Sequence, residues 1–405
     1  MNDGMHPEKC EGLEEAVRYF TRDTGIMSSM AVACGAGDRL LTAGNGEAGE
    51  DSVFDLASVT KLFTGLCAMK LREEGLLDFS RPVLDYAPAF SGLRDVSVDR
   101  LAAFQVTVKT PGRIDALSDR EEALACLHSA APAAIPDRRA YSDIPAMILK
   151  YVVEAAAGMP LMDCVRALIL RPAGMEETWA KVPGERVKDC ELYAPEYRME
   201  KGRRTVRDGR RGIPHDPKAA LLQGDSGDLC GHAGLFSTRR DLIRFCRAIL
   251  SRKIVGEESL RLMAVNRTGR PLGDGTYTQY LGYQCYLRHP DQYFSEIPLY
   301  MGLRAFGIAG FTGNHLSVDP ERNLFALFLG NRVRGRLTVL TPEAGKSLTD
   351  YGLRPDGLGV VQWDDGRTVP SSVQYVHQKD EHFHRVVARE LHLAEIPWDH
   401  LSDSE

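Results

Sequence analysis

The sequence predicts an α+β fold, in which an antiparallel sheet flanked by helices is built from both ends of the chain and a helical subdomain is inserted between them. Two observations predict it. Strand patterns occur near the N-terminus and again after Gly275, whereas the segment from Arg81 to about Arg252 is mostly helical. Segregation of strands and helices along a chain is typical of α+β architectures.

The same order of elements defines the expected domains. Residues 1–80 and 270–405 are expected to form one α/β sheet domain, and residues 81–269 a helical domain. Within the helical domain, residues 183–231 are rich in glycine, proline and charge. That composition predicts a long loop excursion.

Each predicted element depends on a local pattern. Apolar residues at helical spacing predict a first helix over 9–24, which Gly25 ends. Short apolar runs between turn signals predict strands. In chain order, the predicted strands are 29–34, 39–42, 280–287, 304–310, 314–318 and 324–329. The further predicted helices are 58–74, 121–127, 144–157, 161–169, 239–251 and 380–393.

The composition narrows the class of function. The 405 residues are 43% hydrophobic and 26% charged, which is ordinary for a globular protein with a large core. A formal net charge of −6 argues against nucleic acid as a partner. The one marked basic run, residues 201–211, is interpreted as an exposed, solvated loop.

Cysteine spacing and hydropathy add further expectations. Nine cysteines occur without a Cys-x-x-Cys pair, so we expect neither a metal site nor a disulfide framework, and no cofactor. The first residues contain no apolar signal core, and no apolar run approaches the ~20 residues of a membrane span. We therefore expect a cytoplasmic protein that does not insert in membranes.

The most informative motif is Ser58-Val-Thr-Lys61, the only Ser-x-x-Lys in the chain. On a helix, a lysine three residues after a serine lies on the same face, where its amine could take or relay the serine proton. Ser-x-x-Lys hydrolases use this pair for acyl transfer. The alternative is structural, because serine is a favoured residue at a helix N-cap.

Companion stretches in a fixed order strengthen the catalytic interpretation. Together they resemble the serine β-lactamase-related family, whose class C branch includes class C β-lactamases, D-alanyl-D-alanine carboxypeptidases, D-aminopeptidases and related esterases. The resemblance runs from about residue 10 to 335 and implies a β-lactamase/transpeptidase-like fold. The stretches are ASVTKLFTGL (57–66), LREEGLLDF (71–79), YSDI (141–144) with VVEAAAG (152–158), LRPAGMEET (170–178), GHAGLFST (231–238), and GFTGN (310–314) with GNRV (330–333).

The resemblance implies roles for individual residues. Ser58 would be the acylated nucleophile and Lys61 the amine that tunes it. Tyr141, in the only Tyr-x-Asp or Tyr-x-Asn of the chain, would be a second general acid or base. Its structural alternative is a buried core tyrosine. The oxyanion hole would use the backbone N–H groups of Ser58 and Phe311.

The chain departs from the family pattern at three places, one of which is the absent His-Thr-Ser-Gly stretch after the first helix, where residues 101–110 stand instead. The second motif usually ends in asparagine, and here Asp143 would favour the ammonium form of Lys61. The third motif is usually Lys-Thr-Gly or His-Thr-Gly, and here it is Ile308-Ala309-Gly310. Since the cation and the hydroxyl are both missing, a substrate carboxylate would lack its partner.

Two further motifs that could be taken as catalytic are interpreted as structural. Arg267-Thr-Gly269 looks like the missing third motif, but it lies far upstream and is expected to be a loop. His232, in Gly-His-Ala-Gly, is expected to bond to local backbone groups in a tight turn.

The sequence therefore predicts a serine hydrolase, an esterase or amidase that forms an acyl-enzyme on Ser58 with a small ester or amide lacking an essential carboxylate. Asp143, Ile308, Ala309, Gly310 and Phe311 are expected to line the substrate. Two alternatives remain open. One is a D-aminopeptidase or weak penicillin-binding or β-lactamase-type enzyme, and the other is a binding or regulatory module on the same fold.

Overall fold

The computed structural model describes residues 7–45, 51–134, 140–291 and 296–401, and its central element is a seven-stranded sheet. The strands of the described residues are β1 (Glu8–Lys9), β2 (Met30–Ala36), β3 (Arg39–Gly44), β4 (Val53–Asp55), β5 (Thr107–Lys109), β6 (Ala131–Ala133), β7 (Thr178–Trp179), β8 (Glu196–Glu200), β9 (Arg203–Arg207), β10 (Phe236–Thr238), β11 (Tyr286–Leu287), β12 (Phe306–Gly310), β13 (Asn314–Asp319), β14 (Leu324–Gly330), β15 (Arg336–Thr341), β16 (Val360–Gln362) and β17 (Thr368–Pro370). The helices are α1 (Glu11–Arg18), α2 (Thr60–Glu73), α3 (Val83–Tyr86), α4 (Val98–Ala102), α5 (Arg120–His128), α6 (Ile144–Ala157), α7 (Leu161–Val165), α8 (Arg171–Ala173), α9 (Pro217–Gln223), α10 (Arg239–Leu250), α11 (Glu257–Met263), α12 (Tyr375–Lys379) and α13 (Arg385–Glu390).

The sheet order combines the two ends of the chain. The strands lie in the order β1-β3-β2-β14-β13-β12-β11, and all neighbours are antiparallel except β1 and β3. The predicted α+β fold, with a mostly antiparallel sheet and flanking helices, is therefore confirmed. The domain boundaries at residues 80 and 270 stay a prediction.

The central strand β14 explains why the sheet is covered on both faces. Phe325, Leu327 and Leu329 belong to the large core cluster under the helical layer, whereas Ala326 and Phe328 belong to the cluster on the opposite face. Successive side chains of a strand point to opposite faces, so a continuous apolar run is buried twice. Helices α1 and α13 cover the second face and contact each other.

Helix α2 contains Lys61, the lysine of the Ser-x-x-Lys motif, and is buried on nearly every side. Its residues from Thr60 to Met69 are all buried, and it packs against α6. Phe63 stacks on Phe245 of α10 with ring centroids 4.2 Å apart. A helix that is enclosed in this way is held by packing, so it provides a rigid base for catalytic groups.

The basic run at residues 201–211 is mostly exposed, as the sequence predicts, but it is not entirely a loop. Residues Arg203–Arg207 form strand β9, which pairs with β8, and β15 adds a third strand. The charged side chains of these residues mask the strand pattern in the sequence. Strand β9 is a sheet edge, and charged residues on an edge oppose pairing with other chains.

Two other predicted elements differ from the structure. The predicted strand 280–287 shrinks to Tyr286–Leu287, because Gln284 adopts a φ of 57° and the chain turns back on itself there. The last predicted helix begins earlier, at Tyr375, and includes a π-helical turn at Asp380–His384. The remaining predicted helices are confirmed within a few residues, and α6 matches at both ends.

Among the described residues, no helix is both long enough and apolar enough to cross a membrane.

Candidate active site

Ser58 lies in a strained turn between strand β4 and helix α2. A single 3-10 turn, Ala57–Val59, joins the two elements. Ala57 has a φ of 45°, in the left-handed region that costs a residue with a side chain of order 1 kcal/mol or more. The buried carboxylate of Asp55 accepts a hydrogen bond from the Ala57 N–H at 2.9 Å. The turn is thus held in a conformation that it would not adopt alone.

Lys61 contacts Ser58 directly. Its Nζ donates to Ser58 Oγ at 2.9 Å, to Asp143 Oδ1 at 2.7 Å and to the His232 carbonyl oxygen at 3.2 Å. Its side chain has no exposed surface. An ammonium group has three protons, so these three acceptors account for all of them.

The helix-cap alternative for Ser58 is wrong. The residue at the N-cap of α2 is Val59, and no side chain caps the helix. The Ser58 hydroxyl is instead engaged by Lys61. The chain bends at Ala57, so the serine faces the buried lysine.

Tyr141 lies beside the same lysine. The Lys61 Nζ is 4.9 Å from the centre of the Tyr141 ring. The ring stacks on Tyr286 at 5.1 Å and is tilted against Phe104 at 5.5 Å. Tyr141 is half-buried at the edge of the core. The structure therefore brings Ser58, Lys61 and Tyr141 to one place.

A chain of alternating charges lies behind Lys61, and sequence reasoning missed most of it. Asp143 Oδ2 is 3.2 Å from Lys218 Nζ, which lies 2.9 Å from Asp216 Oδ2. Asp216 Oδ1 in turn is 2.9 Å from His232 Nε2. Burial alone would raise the pKa of Asp143, but the charges of Lys61, His232 and Lys218 outweigh it and hold the pKa below its usual range.

A local signal for part of this chain of charges was available. Asp216 precedes Pro217 at the start of α9, and its carboxylate accepts from the Ala219 N–H at 3.0 Å. Asp-Pro at this spacing is a helix N-cap signature. Nothing in the local pattern indicates that Lys218 folds inward, because it follows a stretch of basic surface residues.

His232 is placed differently from the prediction. It is 1% exposed, and its ring contacts the Asp216 carboxylate rather than local backbone groups. Its own backbone carbonyl accepts a hydrogen bond from Lys61. The expectation of a purely local turn histidine is therefore wrong, because long-range packing of α9 places a carboxylate beside the ring.

Asp143, Asp216 and His232 also have the spacing of metal ligands. One ligand atom from each lies within 4.8 Å of the others. The ammonium groups of Lys61 and Lys218 already contact both carboxylates. Two lysine cations would repel a metal ion at this position, so the group fits an ion-pair cluster better than a metal site.

The end of strand β12 packs against the nucleophile turn. A Cβ on Gly310 would lie 2.5 Å from the Leu56 carbonyl oxygen, so only glycine permits this approach. Thr312 and Asn314 hold the contact, since their side chains donate to the Asp55 carbonyl oxygen at 2.8 and 2.7 Å. The Phe311 backbone therefore lies next to the turn that carries Ser58.

The two apolar residues of the altered third motif differ in exposure. Ile308 has no exposed surface and packs in the main core, so it offers no contact to a ligand in this structure. Ala309 is half-buried. Arg267-Thr-Gly269 lies in a loop after α11, as predicted.

The Phe311 ring is supported by residues that the sequence did not indicate. It is 36% exposed, stacks on His215 at 5.4 Å and lies 4.7 Å from the Arg332 guanidinium. His215 Nε2 is 3.0 Å from Glu196 Oε2, and Thr338 donates to Glu196 Oε1 at 2.5 Å. The buried Glu196 carboxylate therefore holds His215 in place under the Phe311 ring.

Glu196 gives the protein an acid-sensitive contribution to stability. Burial would raise its pKa, but bonds from His215 and Thr338 and the charge of Arg207 lower it to about 2. Because the folded pKa lies below the usual glutamate value, this contribution is present above about pH 4.3 and is lost as the pH falls through 2. It amounts to about 3 kcal/mol.

We expect Glu196→Gln to lower the free energy of unfolding by about 3 kcal/mol at pH 7, with a difference from the parent that shrinks between about pH 5 and pH 2. Urea unfolding at a series of pH values measures it. Glu200→Gln on the same strand is the control, since that side chain is 57% exposed and should contribute a few tenths of a kcal/mol. An equal gap at pH 7 and pH 2 would contradict the assignment.

Comparisons with known proteins bear on this arrangement. The sequence model of the family described as "Beta-lactamase" matches residues 14–345. A curated protein of Salmonella gallinarum (strain 287/91 / NCTC 13346), named "Putative D-alanyl-D-alanine carboxypeptidase", is 26% identical over 338 residues. That match covers 75% of this chain and 74% of the Salmonella protein.

Solved structures share the fold. EstA from Arthrobacter nitroguajacolicus Rue61a has a TM-score of 0.62 at 16% identity, over 95% of this chain and 100% of that chain. A class C beta lactamase from Rhodobacter sphaeroides has a TM-score of 0.58 at 17% identity, over 80% of this chain and 94% of that chain. EstCE1, a hydrolase with promiscuous acyltransferase activity, has a TM-score of 0.60 at 19% identity, over 79% and 94%. The β-lactamase/transpeptidase-like fold predicted from the sequence is therefore confirmed.

Proposed function

The chain belongs to the beta-lactamase family of serine hydrolases, and from this premise we propose that it hydrolyses a small ester or amide through an acyl-enzyme on Ser58. The observation that carries the proposal is the contact of a fully buried Lys61 with Ser58 Oγ at 2.9 Å. A hydroxyl needs such a partner to become a nucleophile at neutral pH.

In the proposed mechanism, Ser58 Oγ attacks the acyl carbonyl carbon while its proton passes to the neutral amine of Lys61. The carbonyl oxygen becomes an oxyanion held by the N–H groups of Ser58 and Phe311. Collapse of this intermediate breaks the bond to the leaving group, which receives the proton from Lys61, either directly or through the Tyr141 hydroxyl. Water then attacks the acyl carbonyl carbon while one of its protons passes to the neutral amine of Lys61. The bond between Ser58 Oγ and the acyl carbon breaks, Lys61 returns that proton to Ser58 Oγ, and the carboxylic acid leaves.

Asp143 and the charges behind it hold Lys61 in position. Asp143 Oδ1 lies 2.7 Å from Lys61 Nζ and orients the amine, whose side chain has no exposed surface. Lys218 Nζ lies 3.2 Å from the other oxygen of Asp143, so the carboxylate is held from both sides.

The apolar third motif favours a substrate without an essential carboxylate. Ile308 and Ala309 supply neither a cation nor a hydroxyl where the family usually has both. A buried carboxylate without a partner costs free energy, so an uncharged acyl group is the better match.

The test is labelling with a fluorophosphonate probe followed by peptide mass spectrometry. We expect one adduct in the tryptic peptide 40–61, which contains Ser52 and Ser58, with fragmentation that assigns it to Ser58. Ser58→Ala is the control and should remain unlabelled. No adduct on Ser58, with the probe active on a known serine hydrolase, rejects the proposal.

A D-alanyl-D-alanine carboxypeptidase-like activity is the second candidate, favoured by the likeness to the Salmonella protein named "Putative D-alanyl-D-alanine carboxypeptidase". Labelled penicillin discriminates between the two. A slowly cleared adduct on Ser58, together with weak turnover of p-nitrophenyl esters, would favour the second candidate over the esterase.

A further inference from the structure

The C-terminal segment beyond the matched family region reaches the candidate oxyanion hole. The family match ends at residue 345. Tyr375, the first residue of α12, is 5% exposed, and its hydroxyl donates to the Gly310 carbonyl oxygen at 3.3 Å. A residue outside the family match therefore contacts the end of strand β12.

The Gly310 carbonyl and the Phe311 N–H belong to the same peptide group. A peptide group is planar, and resonance links its carbonyl oxygen to its N–H. A hydrogen bond to the carbonyl oxygen therefore fixes the orientation of the plane and makes the N–H a stronger donor. The Gly313 N–H also donates to the Gly310 oxygen, at 3.0 Å. Two donors thus hold the peptide whose N–H is assigned to the oxyanion hole.

The Arg332 side chain contacts both Tyr375 and Phe311. Its guanidinium lies 4.7 Å from the Phe311 ring and 4.4 Å from the Tyr375 ring, and it is 6% exposed. Its Nη2 donates to the Thr338 carbonyl oxygen at 2.5 Å, whereas its Nε has no hydrogen-bond partner among the described residues. A buried cation is costly, and stacking between two rings offsets part of that cost.

The Tyr375 hydroxyl is kept as a donor. Burial raises the pKa of Tyr375 to about 12, although the nearby Arg332 lowers it. The hydroxyl consequently carries its proton throughout the neutral range and can donate to Gly310 without interruption.

We propose that Tyr375 is a positioning residue of the oxyanion hole, whose hydroxyl fixes and polarises the Gly310–Phe311 peptide so that the Phe311 N–H faces the acyl oxygen of a substrate on Ser58. The inference rests on the proposed function. It gives the segment after residue 345 a role in the reaction, and it explains why a buried arginine is stacked between these two rings.

Nuclear magnetic resonance can observe this single peptide. The chain contains one Gly-Phe dipeptide, Gly310-Phe311, so labelling glycine with ¹³C at the carbonyl and phenylalanine with ¹⁵N isolates its amide signal. Tyr375→Phe removes only the hydroxyl, and the Phe311 ¹⁵N signal should move upfield. Incorporation of 3-fluorotyrosine, whose hydroxyl is a stronger donor, should move the Phe311 ¹⁵N signal downfield. This measurement does not depend on whether the Tyr375→Phe variant folds.

Kinetics supply the second measurement. In Tyr375→Phe, kcat for a p-nitrophenyl ester should fall about fivefold to tenfold, as expected for one hydrogen bond, with KM nearly unchanged. Tyr300→Phe is the matched control, because this buried tyrosine also loses one hydrogen bond, to His384 at 3.0 Å, away from the site. It should match Tyr375→Phe in melting temperature but keep the parent kcat and the parent amide signal.

The outcomes separate the inference from the proposed function. A Phe311 signal that does not move, or a kcat that does not fall while Ser58 is still labelled by a fluorophosphonate, overturns the role of Tyr375 alone. A kcat loss of the same size in Tyr300→Phe also overturns it. An unlabelled Ser58 in the parent protein overturns the proposed function, and the role of Tyr375 with it.

Discussion

Replacing Ser58 by alanine is expected to lower kcat/KM for an activated ester by about four to six orders of magnitude, the range seen when a nucleophile is removed from a serine hydrolase. The reason is chemical, since the proposed acyl-enzyme forms on the Ser58 hydroxyl, which accepts from Lys61 Nζ at 2.9 Å. The residual rate would come from the oxyanion donors and from substrate binding alone.

The measurement is steady-state hydrolysis of p-nitrophenyl acetate, with melting temperature as a check on folding. The alanine leaves one Lys61 proton without its acceptor, so a small loss of stability of about 1 kcal/mol is expected. Ser129→Ala is the control, because that hydroxyl only bonds to the Ala125 carbonyl at 2.9 Å at a helix end. More than a hundredth of the parent kcat/KM in Ser58→Ala would exclude Ser58 as the nucleophile.

The features that could be predicted from the sequence are those whose pattern lies within one short segment. The apolar run of β14 and the periodic pattern of α6 each report burial residue by residue, and both elements were found within one residue of their bounds. Ser58, Lys61 and Tyr141 could be brought together because ordered motifs accompany them. In each case the information lies in short segments.

The parts that were missed depend on contacts between distant segments. Lys218 and Asp216 are more than seventy positions after Asp143, and only tertiary packing shows that they form one chain of charges. The positive φ of Ala57 gives no compositional signal, because glycine is the residue that usually marks such a turn. Tyr375 lies outside every motif, and its contact with Gly310 exists only in the folded chain.

Replacement of Lys61 by methionine is expected to lower kcat/KM by about three orders of magnitude, within the range for loss of a general base. Methionine is unbranched and apolar, so it fills the buried space without a proton-accepting group. Asp143 keeps Lys218 at 3.2 Å, so the variant should not leave a buried carboxylate without a cation. Ser58 should also react far more slowly with a fluorophosphonate, because that reaction needs the same proton acceptor.

Loss of a buried ion pair alone could reduce activity by weakening the fold, and Lys150→Met is the matched control for that effect. Lys150 is 8% exposed and pairs with Glu154 at 2.7 Å and Asp228 at 3.2 Å, but none of these contacts involves Ser58. Lys150→Met should lose at least as much stability as Lys61→Met, by melting temperature, because it removes the lysine that pairs with Glu154 and Asp228. Only Lys61→Met should lose hydrolysis and labelling. Equal losses of activity in the two variants would mean that Lys61 supports the fold rather than the chemistry.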